Sequence, residues 1–297
     1  KEPAEDMQAL SRQMRNVMAE SMKNDRGEAR MDSKVLGDKI NAIYVKIDFH
    51  KESAVPCLMQ MLQPENSRVR KVLVDQLAGI KKSKSTDGLV KLALFDLSDS
   101  IREEAVRALA DRPREEYRQQ LLAGLRYPWP AVADHAAEAL VALNDKPSIS
   151  ALQALAAQPD PNEAAYDSDH KAWMVPEVVR INHLGNCLMC HAPSKSTTDL
   201  VRGRIPSANQ PLPPPVQYYE DTTGPFVRAD ITYLRQDFSV YQPVDRPGPW
   251  PTMQRFDYLV RNRYETVQEF YARQKKGDKA SYPQRDAVLF ALKELSK

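Results

Sequence analysis

The sequence predicts a mainly α protein: N-terminal helices and an α-solenoid of short paired helices make up residues 1–158, then a second domain over 159–297 has helices and a small β-hairpin. Three observations carry this. At 297 residues and 42% hydrophobic, the chain is long and apolar enough for two cores. Apolar residues in 54–158 recur at helical spacing, in units of about 31 residues. Alternating runs of β-branched and aromatic residues are confined to the region after 226. Only 10 Gly accompany 22 Pro, so helices broken by stiff turns are expected, and no GxGxxG or GxxxxGK[ST] phosphate loop occurs.

Lys1–Arg30 reads as a charged helix with Met7, Leu10, Met14 and Met18 on one packing face. Leu36, Ile40, Ile43 and Ile47 make the stripe of an N-terminal capping helix, and His50 begins a turn. The repeats follow. Val69, Ile101 and Val132 align, then Leu73, Ala105 and Ala136, then Leu77, Leu109 and Leu140. In the middle unit a first helix over Thr86–Asp96 precedes a second over Ser100–Ala110, with Asp99 at the capping position. Cys57 and His135 fall inside repeat helices and read as structural. One such pair cannot bury its own apolar face, so neighbours must stack. Residues 54–158 thus resemble the HEAT-like repeats in their short form, which implies a protein-binding solenoid.

Cys187-Leu188-Met189-Cys190-His191 is C-x-x-C-H, the attachment motif of c-type haem. Chance placement of three Cys and five His would give this pentad with a probability on the order of 3 in 10,000. The two thiols add across the porphyrin vinyl groups, and the adjacent His supplies the proximal nitrogen. A redox dithiol would need a preceding strand, whereas Pro176–Leu184 reads as a helix running into the motif. A zinc site would need His183, Cys187, Cys190 and His191 to converge, but Cys190 and His191 diverge on a helix. The motif resembles that of c-type cytochromes, which implies one covalent haem c held by Cys187 and Cys190, with His191 on the iron.

On a continuous helix, His183 would lie about 12 Å from His191 and could not reach the opposite face of the iron. Met253, a Pro-flanked Met well after the motif, resembles the distal ligand of small c-type cytochromes. Packing at the start of a helix Met253–Arg263 is its other reading, and His170 and Met174 are further ligand candidates. Arg202 and Arg204, with Arg228, Arg235 and Arg255, are candidate propionate partners. Trp250 joins Tyr218, Tyr219, Phe226, Tyr233, Phe238, Tyr241, Phe256 and Tyr258 as candidate pocket wall. Pro206, Pro211 and Pro213–Pro215 mark an extended stretch, and Phe226–Leu234 and Phe238–Val244 read as the hairpin. A last helix, with Val288, Leu289 and Leu292 inward, is expected to dock on the solenoid.

Charge is nearly balanced, at 42 Lys+Arg against 40 Asp+Glu, which argues against a nucleic-acid binder. No apolar run is long enough to span a membrane. Residues 180–297 are mildly basic, with 17 Lys+Arg against 12 Asp+Glu. Haem attachment and a start at Lys1 without an apolar leader lead us to expect an exported, periplasmic or otherwise extracytoplasmic protein whose signal has been removed. The expected function is one-electron transfer through the haem, with the solenoid docking a redox partner or larger complex. The alternatives are a haem enzyme or gas/peroxide sensor with an open sixth site, and a scaffold with a structural haem.

Overall fold

The computed structural model describes residues 13, 17, 32–44, 52–196, 199, 202–212, 224–232, 236–275 and 281–297. The expected apolar face of Met7, Leu10, Met14 and Met18 lies outside them. So do Ile47, His50, Pro213–Pro215, Tyr218, Tyr219, Tyr233, Arg235 and the side chains of Ile43 and Cys57.

Helices in chain order are α1 (Ser33–Tyr44), α2 (Val55–Leu62), α3 (Ser67–Gly79), α4 (Ser83–Phe95), α5 (Asp99–Leu109), α6 (Arg114–Gly124), α7 (Pro130–Ala142), α8 (Ile149–Ala156), α9 (Cys187–Cys190), α10 (Val267–Lys275) and α11 (Pro283–Leu295). Strands are β1 (Ala165–Asp167), β2 (Ala172–Asn182), β3 (His191–Ser194), β4 (Arg202–Arg204), β5 (Phe226–Thr232), β6 (Phe238–Pro243) and β7 (Met253–Tyr264). The sheets run β1-β2-β7-β6 and β3-β5-β4. Among the described residues no helix is long and apolar enough to cross a membrane. The chain divides into two units, Lys1–Leu73 with Ile181–Asp257, and Val74–Arg180 with Tyr258–Lys297.

The repeat register survives in three dimensions. Helices α3, α5 and α7 are the second helices of successive pairs, and all nine aligned apolar positions, from Val69 to Leu140, are at most 3% exposed. Asp99 is the first residue of α5, one position inside the cap, and its carboxylate pairs with Arg102. In the unit Val74–Arg180 with Tyr258–Lys297, α4 packs on α5, α6 and α7, while α11 packs on α7 and α8. Gly124 permits the close approach of α6, since a Cβ there would meet Leu94 Cδ2 at 2.8 Å and the Ala136 Cβ at 3.1 Å. His135 bonds the Leu94 carbonyl at 2.7 Å, a structural role. Arg112 donates to the carbonyls of Leu77 and Ala78 at 2.8 and 3.0 Å, satisfying the exposed end of α3. The inward face of α11 is Gln284, Ala287, Val288, Ala291 and Leu295; Leu289, expected inward, is 48% exposed because the i, i+3, i+4 phase places it outside that stripe.

Asp145 is fully buried in this unit. Arg118 grips it with two bonds of 2.8 Å, and the Ser148 hydroxyl donates to it as well. Burial alone would raise its pKa, but the Arg118 and Ser148 hydrogen bonds outweigh that and hold it below the ordinary Asp range.

In the unit Lys1–Leu73 with Ile181–Asp257, Leu36 and Ile40 of α1 are buried, as the stripe there predicts. Both strands of the expected hairpin form, but they do not pair with each other. β5 lies between β3 and β4, whereas β6 lies beside β7. Strand propensity is a local property, while pairing follows the partners that tertiary structure supplies. The expected helix Met253–Arg263 is strand β7, and Gln254, Arg255, Phe256 and Asp257 are buried in succession. The expected helix Pro176–Leu184 is the end of β2, where β-branched Val178, Val179 and Ile181 favour an extended chain.

Arg255 ties this unit together. Its guanidinium donates to the Gln60 carbonyl of α2 at 2.9 Å, the Ser239 hydroxyl at 3.1 Å and Asp257 at 2.8 Å. Glu65, 6% exposed after α2, has its carboxyl pushed up to about 7 by burial, against the opposing pull of Arg255 and Arg70.

Two stability predictions follow from the buried acids. Asp145→Asn breaks the Arg118 grip and is expected to cost about 3 kcal/mol at pH 7, read by urea unfolding. Because the native carboxyl is held low, its contribution is complete above the ordinary Asp value and fades on further acidification, so variant and parent converge below about pH 4. Glu65 has the opposite sign: a raised carboxyl pKa loses stability as pH climbs from the ordinary Glu range to about 7. Glu65→Gln is therefore expected to be more stable than the parent at pH 8, by on the order of 3 kcal/mol, and nearly equal to it at pH 5.

Candidate cofactor-attachment site

The motif sits on a turn built by asparagines. β2 ends at Asn182, whose side-chain oxygen accepts from the backbone N–H groups of Leu184 at 3.0 Å and Gly185 at 3.3 Å. Its amide donates to Gln254 of β7 at 2.7 Å, and Asn186 donates back to the Asn182 carbonyl at 2.9 Å. These local bonds offer the backbone an alternative to continued helix or strand, and the chain reverses. Trp250 flanks the turn, since a Cβ on Gly185 would lie 4.0 Å from its ring, and its indole donates to the Ser207 carbonyl at 3.0 Å.

Helix α9 is a single turn containing both cysteines. The His191 N–H bonds the Cys187 carbonyl, and His191 then leaves in extended conformation, at φ −125° and ψ 146°. Antiparallel β3 pairs with β5, and a register shift falls between His191 and Ala192. Such a bulge re-aims a side chain; His191 is 7% exposed. Both thiols are free and half-buried, with Cys187 Sγ 3.7 Å from the carbonyls of His183 and Leu184. Burial raises both thiols above the ordinary range, and the Asp257 charge raises Cys190 further. The strand that a redox dithiol would need is present as β2, contrary to the helical reading, whereas the raised thiols are the reverse of the shift that activates such a pair. Between the cysteines, Leu188 and Met189 face solvent, at 56% and 50% exposure.

The largest departure from the sequence reading is His183. With no helix before α9, it does not lie a helix length from His191. Its ring centre is 6.4 Å from that of His191, and the two planes stand at 87°. Its backbone N–H donates to the Arg255 carbonyl at 3.0 Å, and Nδ1 contacts Asp257 Oδ2 at 2.7 Å. Asp257 is buried, which by itself would raise its pKa, but hydrogen bonds from His183 and Ser239 and the Arg255 charge hold it far below the ordinary range. An ionised carboxylate only accepts, so Nδ1 carries the proton and Nε2 is the nitrogen left to bind a metal. Sequence reasoning missed Asp257 altogether, since its role depends on a partner 74 residues away.

The other candidates are placed as follows. Arg202 on β4 lies 4.0 Å over the Phe226 ring and donates to Ser194 at 3.1 Å. Arg204, two residues on, packs near Gly224, whose φ of +108° suits glycine. Both share the three-stranded sheet that His191 opens. Met253 is the first residue of β7 and 47% exposed. His170, exposed on a turn, bonds Asp167 at the end of β1, and Met174 lies on β2 opposite Ala165. Among the described residues no three His, Cys, Asp or Glu side chains converge on a point that a metal ion could occupy.

No curated protein and no solved structure matches the chain. Residues 86–168 match the family model of HEAT repeats, so the paired helices of this stretch are identified as HEAT repeats, an architecture suited to protein–protein interaction.

Proposed function

We propose that the chain is a monohaem c-type cytochrome that transfers single electrons, with its HEAT-like repeats as the docking scaffold for a redox partner or larger complex. The observation that carries this reading is the placement of Cys187 and Cys190 on one helical turn, followed directly by buried His191. Protonated, reduced thiols suit thioether formation: each S–H adds across a vinyl C=C, the sulfur–carbon bond forms, the hydrogen passes to the other vinyl carbon, and no net oxidant is consumed. His191 would hold the iron from one side, and Arg202 and Arg204 are the propionate candidates. Trp250 would wall the turn.

When bound, the haem supplies a one-electron iron couple. The chain's own work is to position and to present. The Asn182 turn fixes the approach of the motif, and the Asp257–Arg255–Ser239 network stiffens the strand beside it. Exposed Leu188 and Met189 offer an apolar edge at the attachment turn, the sort of small patch through which transient redox partners meet. The mild positive charge of residues 180–297 favours an acidic docking face. Haem attachment by this chemistry implies an extracytoplasmic location.

The test is an intact mass with a denatured-state haem spectrum of protein expressed with a haem-attachment system. The expected mass is that of the polypeptide plus one haem, with the spectrum of a doubly thioether-linked iron porphyrin. Cys187→Ala/Cys190→Ala is expected to lose all covalent haem. A colourless parent with the bare polypeptide mass refutes the reading.

A further inference from the structure

We infer that His183 is the second axial ligand of the iron, opposite His191, in place of the Met253 ligand that the cytochrome resemblance implies. The inference rests on the haem reading above and on the geometry of the two rings. An imidazole nitrogen lies about 1.2 Å from its ring centre and about 2.0–2.1 Å from a metal it binds, so two imidazoles on opposite sides of one metal have centres about 6.4–6.6 Å apart. The observed separation is 6.4 Å. Packing alone would allow ring centres anywhere from about 4.5 to 7 Å.

Three further observations agree. The Asp257 carboxylate accepts from His183 Nδ1 at 2.7 Å, the carboxylate–histidine arrangement that fixes tautomer and ring orientation for metal binding through Nε2. The His183 backbone is itself pinned, through its N–H to the Arg255 carbonyl at 3.0 Å. Finally, two imidazoles are paired where no third His, Cys, Asp or Glu among the described residues joins them to form a metal site. A porphyrin supplies four nitrogens to its iron, so two protein nitrogens complete six. Met253, by contrast, is 47% exposed at the edge of β7.

The near-perpendicular planes give the inference a signature that a merely structural histidine would not produce. The ferric holoprotein is expected to be six-coordinate and low-spin, to lack the near-infrared sulfur-to-iron band of methionine ligation, and to show the highly anisotropic low-spin EPR signal of crossed axial imidazoles. His183→Ala is expected to turn high-spin and bind CO readily on reduction, with added imidazole restoring the low-spin spectrum. Should that variant fail to fold by far-UV circular dichroism, His183→Met serves instead: it gains the sulfur band, and its reduction potential rises. Met253→Ala is expected to leave every spectrum unchanged. A sulfur band in the parent that Met253→Ala abolishes, or low-spin iron persisting in His183→Ala without added imidazole, overturns the assignment. Intact mass separates the two readings: a chain without haem refutes the function proposed above, whereas a haem-loaded chain with either contrary spectrum refutes only the ligand.

Discussion

A carboxylate taken out of water stays ionised only when donors surround it, and Asp257 meets that demand with three side chains. His183 holds one oxygen, while Ser239 and Arg255 hold the other. The position of the turn that carries Cys187 and Cys190 depends on this. His183 immediately follows β2, four residues before Cys187, so fixing its ring and backbone fixes where the motif begins. Arg255 carries the constraint onward to the Gln60 carbonyl of α2. The buried charge is costly, but it specifies a geometry that apolar packing alone would leave loose.

The repeat helices solve a different problem by different means. Their aligned apolar positions are almost wholly buried, and α6 approaches α7 closely where Gly124 meets Ala136. Most of the polar groups in this core have partners, although Arg112 Nε and Gln284 Oε1 are buried without one among the described residues. Arg112 closes the carbonyl end of α3, His135 meets the Leu94 carbonyl, and Arg118 neutralises Asp145. A solenoid built this way offers rigid surface rather than chemistry. The C-x-x-C-H motif lies in the unit Lys1–Leu73 with Ile181–Asp257, on a four-residue helix between a strand end and a bulge.

Periodicity was readable where it repeated. Three helical units with a common spacing support one another, and the burial of all nine aligned positions follows from that register. Single segments were less legible. Val178, Ile181 and Leu184 fall on one helical face, yet residues 172–182 form a strand, because β-branched side chains and a distant partner outweigh one accidental spacing. Residues 253–264 misled in the same way, since four consecutive buried positions match neither a helical stripe nor a half-exposed strand.

The sequence by itself determined the repeat architecture and placed a C-x-x-C-H pentad at 187–191, because both rest on spacings of a few residues that the backbone enforces locally. Tertiary structure alone decided that Asp257 would face His183 and that β5 and β6 would part into different sheets. It also brought His183 to within 6.4 Å of His191, a distance that the helical reading of the same residues forbade. The physical reason is that a strand end, an Asx turn and a buried ion pair are selected by partners tens of residues away, whose identity no local window contains.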